Sequence, residues 1–163
     1  MSKKIILASM LLIASCSHRP EILYCPNVVI TPTYSHVTSF YGNQPHFRAE
    51  LVGYEGYCRY NPKNNQTTAK VSPIFEIARF SDVGGKKVSI SYYANTSYNA
   101  NPMMGKQPHS FSTRIENVGE KILVTGDEIS VVIPNGEPGY QINLEIALSR
   151  NQFMYNQQQG LAF

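Results

Sequence analysis

From Tyr140 to Leu148 every second residue is apolar: Tyr140, Ile142, Leu144, Ile146 and Leu148 alternate with Gln141, Asn143, Glu145 and Ala147. Successive side chains of a strand point to opposite faces, so this rhythm buries one face and wets the other. It recurs where Phe47, Ala49 and Leu51 alternate with Arg48 and Glu50, and in Val88-Ser89-Ile90-Ser91-Tyr92. A strand over 67–80 carries Val71, Phe75 and Ile77 on one face, with Pro73 marking an edge or a bulge. Shorter strands are predicted at 28–30, 108–116, 120–124 and 129–133. Gly53 and Gly56 interrupt a long strand over 46–60 and predict a bulge or bend. Asn61-Pro62-Lys63-Asn64-Asn65, Asp82-Val83-Gly84-Gly85 and Pro134–Gly139 are turn chemistry. Residues 31–45 and 95–107 read as loops. Ser149 caps a short C-terminal helix to about Tyr155. No segment sustains a helical period. The expected fold is all-β, an immunoglobulin-like antiparallel β-sandwich of about seven strands, with a small barrel as the alternative. The domain spans 25–157, and 158–163 is a frayed tail.

The N-terminus is of another kind. Lys3 and Lys4 precede a run from Ile5 to Ile13 broken only by Ser9, and Ile13-Ala14-Ser15-Cys16 follows. A helix of that length covers roughly 14 Å, about half the hydrocarbon thickness of a bilayer. It reads as the apolar segment of an export signal rather than a membrane span. An apolar residue, two small residues and a Cys follow the order of a lipoprotein signal. Residues 1–15 are then a signal peptide that is removed, Cys16 carries the lipid, and 16–24 form a tether. Multiple acyl chains anchor stably where one does not. Ser17 stands where an Asp would favour inner-membrane retention, which points to the outer membrane. The expected location is the cell envelope, lipid-anchored and facing the periplasm.

Loss of Lys3 and Lys4 leaves twelve basic against eleven acidic residues, so the net charge drops from +3 to +1. No basic stripe with interleaved aromatics is present, and nucleic acid is not an expected partner. The 148 residues after the signal suit one domain with a proper core. Eleven Tyr, seven Phe, no Trp and abundant Asn, Gln, Ser and Thr fit an exported β-rich chain. Cys25 and Cys58 remain after lipidation, an even number in an oxidising compartment, and a disulfide is expected. It ties the first strand to the long second one.

Three stretches, Cys25-Pro26-Asn27-Val28-Val29-Ile30, Ala49–Gly53 leading to Cys58-Arg59-Tyr60, and Gln152-Phe153-Met154-Tyr155-Asn156, together resemble a family of uncharacterised small lipoproteins of alphaproteobacteria. The resemblance spans nearly the whole mature chain, and its two Cys are the distinctive part. Gln157 stands where members usually carry Arg, and Arg150-Asn151 where many have an acidic or Pro-containing helix start. The resemblance implies fold and location, not an activity.

No G-x-S-x-G, H-E-x-x-H or glycine-rich phosphate loop occurs. His18, His36, His46 and His109 are not at ligand spacing, and no cofactor is expected. Met103, Met104 and His109 are soft donors that could hold Cu(I); packing is the simpler role. Asp127 and Glu128 are adjacent, so on an extended segment they point apart. Tyr54, Tyr57 and Tyr60, with Tyr92 and Tyr93, are candidates for an interface, because the ring buries while the hydroxyl stays wet. The expected function is a non-enzymatic structural or protein-binding module with an envelope protein as partner. A small-ligand or copper carrier using residues 95–109 and an envelope hydrolase are the alternatives.

Overall fold

The computed structural model describes residues 24–102, 106–134 and 138–160. The expected signal peptide, Cys16, most of the expected tether, Met103 and Met104 lie outside the described residues. Ten strand segments and one helix follow in order: β1 (Asn27–Ile30), β2 (His36–Tyr41), β3 (Gln44–Asn61), β4 (Gln66–Arg79), β5 (Lys87–Tyr98), β6 (Asn101–Pro102), β7 (Gln107–Arg114), β8 (Lys121–Thr125), β9 (Ile129–Pro134), β10 (Tyr140–Ile146) and α1 (Arg150–Gln158).

The strands form two facing sheets. The first runs β1-β10-β5, with β7 and β6 along the other edge of β5. The second runs β2-β3-β4, with β8 and β9 along the other edge of β4. The chain crosses between sheets from β1 to β2, β4 to β5, β7 to β8 and β9 to β10; of these strands β4 pairs with β9 and β5 with β10, so the two sheets interlock as a sandwich. The core lies between the sheets. Phe75 of β4 packs its ring 5.4 Å from Tyr92 of β5 and 5.0 Å from Phe111 of β7. Phe47, Ala49, Leu51, Ile77, Val88, Ile90, Ile142, Leu144 and Ile146 bury the apolar half of the alternation that predicted these strands.

The all-β sandwich stands, with corrections at its edges. There are ten segments where about seven were expected, the additional ones being β2 and β6 in stretches read as loops, and β5 and β4 each carry two short partners end to end. The pairing is not wholly antiparallel: β1 runs parallel to β10. Residues 31–45 are not a loop. Pro32 opens a short 3-10 turn, and β2 pairs with β3 from His36 to Glu50 across to Tyr41 and Gln44. Gly42 and Asn43 close that hairpin, and Gly42 takes a φ of +61°, the glycine-first loop that suits strand twist. Residues 95–107 are likewise mostly strand. β5 continues to Tyr98, and Asn99-Ala100 form a tight turn into β6 with φ values of 47° and 65°.

Pro73 sits in a central strand. It falls between the end of β9's pairing at Val71 and the start of β8's at Ile74, where its missing N–H breaks no ladder bond on that side. Its carbonyl accepts from Gly126 N–H at 2.8 Å. The predicted bulge lies in β3 between Leu51 and Gly53, opposite this break. Ser149 caps α1 as predicted, in a reciprocal capping box with Gln152. The helix runs on to Gln158 and packs along β2 through Asn156, whose Nδ2 donates to the His36 carbonyl at 2.8 Å. The Cys25–Cys58 disulfide, with Cα atoms 5.8 Å apart, joins the chain just before β1 to β3, and so links one sheet to the other.

Candidate functional site

The outward face of β5 and β10 carries the polar half of the alternation. The register sets Tyr93 beside Glu145, Asn95 beside Asn143 and Ser97 beside Gln141. Lys106, just ahead of β7, reaches over this face, and with Asn95, Ser97, Gln141, Asn143 and Glu145 it lines a cleft of about 410 Å³. That lies within the roughly 300–1,000 Å³ of small-ligand sites. The Glu145 carboxylate is only 13% exposed. It accepts from Lys106 Nζ at 2.8 Å, Asn95 Nδ2 at 3.2 Å and Thr31 Oγ1 at 3.3 Å. The Glu145 bond holds the Lys106 ammonium above its ordinary pKa, more than burial lowers it. The Lys106 ammonium also stands 5.5 Å from the Tyr34 ring centre and 5.2 Å from that of Tyr93.

Beyond this knot the amides are less satisfied. Gln141 Nε2 donates to Asn143 Oδ1, and Asn143 Nδ2 donates to Ser97 Oγ at a long 3.4 Å. Asn95 Oδ1 is buried and has no hydrogen-bond partner among the described residues. Such an acceptor costs roughly 1–3 kcal/mol unless something donates to it. The cleft is thus a neutral set of donors and acceptors, with one carboxylate already matched by one ammonium.

The five tyrosines singled out in the sequence do not share a surface. A spacing of three on a strand alternates faces, so Tyr54 and Tyr60 lie on one side of β3 and Tyr57 on the other. Tyr54 and Tyr57, both exposed, flank a smaller cleft of about 170 Å³ beside the disulfide, with Pro26, Val28 and Val71. Tyr60 donates to Asn65 Oδ1 at 2.8 Å. Tyr92 is 1% exposed and belongs to the core. Tyr93 alone borders the polar cleft.

The histidines are separately engaged. His36 contacts Ser35 Oγ at 2.8 Å and Glu50 at 3.1 Å. His46 packs on Gly84 and bonds the Gly85 carbonyl at 2.9 Å. His109 is on β7, stacked on Tyr92 at 5.4 Å. Among the described residues no three His, Cys, Asp or Glu side chains gather as a metal site, and no helix is long and apolar enough to cross a membrane.

Asn95, Lys106 and Asn143 were not prominent in the sequence. The available signal was the polar half of the β10 alternation, Gln141-x-Asn143-x-Glu145, which in an ordinary solvent-facing strand would be mixed with Lys and Thr. No family model, curated protein or solved structure matches the chain.

Proposed function

We propose that this chain is a non-enzymatic binding module of the cell envelope, held by lipid on Cys16 at the outer membrane, facing the periplasm, and akin to the small alphaproteobacterial lipoproteins it resembles. Its binding surface is the polar face of β5 and β10. The observation that carries this reading is an open polar cleft whose charges are already balanced, lined by Asn95, whose covered Oδ1 has no partner among the described residues. Among the described residues Glu145 is the only carboxylate lining that cleft, and it is tied to three donors, so it is placed to hold a ligand rather than to exchange protons with a second acid. The test is crosslinking of the full-length lipoprotein in intact envelopes, compared with Cys16→Ser and with Asn143→Ala. Capture of envelope material that needs both residues is the expected result. Capture indifferent to both overturns the reading.

A protein partner, the second reading, is favoured by the outer face of β3, β4, β8 and β9. Val52, Tyr57, Leu123 and Val132 are exposed there, Leu123 at 69%, interspersed with the ion pairs Lys70–Glu128 and Lys121–Glu76. Exposed aromatic and apolar side chains beside polar ones are what protein interfaces draw on. Leu123→Ser abolishes crosslinking to a protein if that face is used.

A further inference from the structure

We infer that the polar cleft of β5 and β10 recognises a neutral, polyhydroxylated ligand, namely a segment of a glycan chain. The inference rests on reading this face as the binding surface and goes on to name its ligand class.

An anion needs an uncompensated cation, but the Lys106 ammonium already lies 2.8 Å from Glu145. A cation or metal needs free carboxylate oxygens, and both Glu145 oxygens accept from side chains of the face. An apolar ligand would leave the Asn and Gln amides dry and unpaired, at a cost for each. What remains is a ligand that brings donors and acceptors closely spaced and carries no net charge. Vicinal hydroxyls do this, since each both donates and accepts.

The geometry fits in three further respects. Asn95 and Asn143 are directly paired across the strands, so their amides sit side by side and can bracket neighbouring hydroxyls. Asn95 lines the cleft and its covered Oδ1 lacks a donor among the described residues, so a turn of that amide toward the cleft lets a sugar hydroxyl or an acetamido N–H supply one. The Gln141–Asn143–Ser97 chain ends in a long 3.4 Å bond that a ligand hydroxyl can replace. Tyr93, at the border, offers a ring face over which Lys106 now lies and against which the C–H face of a sugar can pack.

The experiment is calorimetric titration of the full-length protein, in a detergent without a sugar headgroup, with a glucose oligomer and an N-acetylglucosamine oligomer as separate probes. Saturable binding of one of them is expected, weakened by about tenfold or more in Asn95→Ala and in Asn143→Ala, and unchanged in Val118→Ser, an exposed residue of the turn ahead of β8. Whichever probe binds tells whether hydroxyls alone or the acetamido group supplies the donor to Asn95. Asn143 is bonded only to side chains of the face, so Asn143→Ala decides if Asn95→Ala fails to fold. No saturable binding of either probe at millimolar concentration overturns the inference, as does binding that both variants leave intact. If the probes fail while envelope crosslinking still needs Asn143, the binding face stands with a protein as its ligand, and only the glycan assignment falls.

Discussion

Arg79 is the residue on which one end of the sandwich depends. It closes the inward face of β4, is 1% exposed, and its guanidinium donates to the carbonyls of Ser81, Ile115 and Glu116 and to Asp82 at 2.6 Å. One side chain thereby satisfies the backbone of both loops at that end. Arg79→Met leaves those carbonyls without donors and should lower unfolding free energy by about 3 kcal/mol, seen as a shift in denaturant midpoint. Arg79→Lys should rescue little of it, because an ammonium lacks the planar fork. Tyr92 gives the pH dependence. Burial, reinforced by the Asp127 carboxylate, pushes its phenol from an ordinary 10.0 up to about 12. The unfolded chain then loses this proton first, so the stability it provides is intact below pH 10 and lost as pH rises toward about 12. Lys106, whose pKa is also raised, acts in the same direction, its contribution vanishing as pH climbs through its folded value. Tyr92→Phe should flatten the alkaline fall in denaturant midpoint; an unchanged slope would assign that fall elsewhere.

At the scale of elements, local chemistry decided where segments end. Ser149 and Gln152 make the reciprocal bonds that start α1, and Ser149→Ala should cost about 1 kcal/mol by chemical denaturation. Asn99-Ala100 places both central residues of a hairpin at positive φ. That conformation costs an alanine roughly 1 kcal/mol, so Ala100→Gly should stabilise the protein by a comparable amount. The strands with clean alternation, β5, β9 and β10, were legible because one face of each is buried. β2 was not, because Pro32, Gly42 and Pro45 around it look like loop residues. They are in fact the devices that open and close its hairpin. Pro73 was legible as a ladder breaker but not as a central one, since only the pairing shows that β4 changes partners at that point.

For the whole molecule, the disulfide ties the two sheets together in addition to the chain's own crossings. Closing a loop with a sequence separation of 33 restricts the unfolded chain by roughly 3–4 kcal/mol. Cys58→Ala should lower stability by about that amount, and reducing agent should lower the wild type alone. That is a large share of the roughly 5–15 kcal/mol a domain has.

What the amino-acid sequence determined by itself is the class: period-two alternation requires half-buried strands, turn residues set their ends, and Cys25 and Cys58 pair with each other. What only the tertiary structure decided is which strands are neighbours. Tyr93, Asn95 and Ser97 are nearly fifty residues from Gln141, Asn143 and Glu145, and an alternating strand says which side chains face outward without saying beside whom. The antiparallel register of β5 on β10 brings those amides together and lets Lys106 close over them. The same crossing of the chain between sheets buries Tyr92 and leaves Tyr57 in solvent. Local periodicity fixes the face a residue belongs to; only long-range pairing fixes its companions, and the cleft is made of companions.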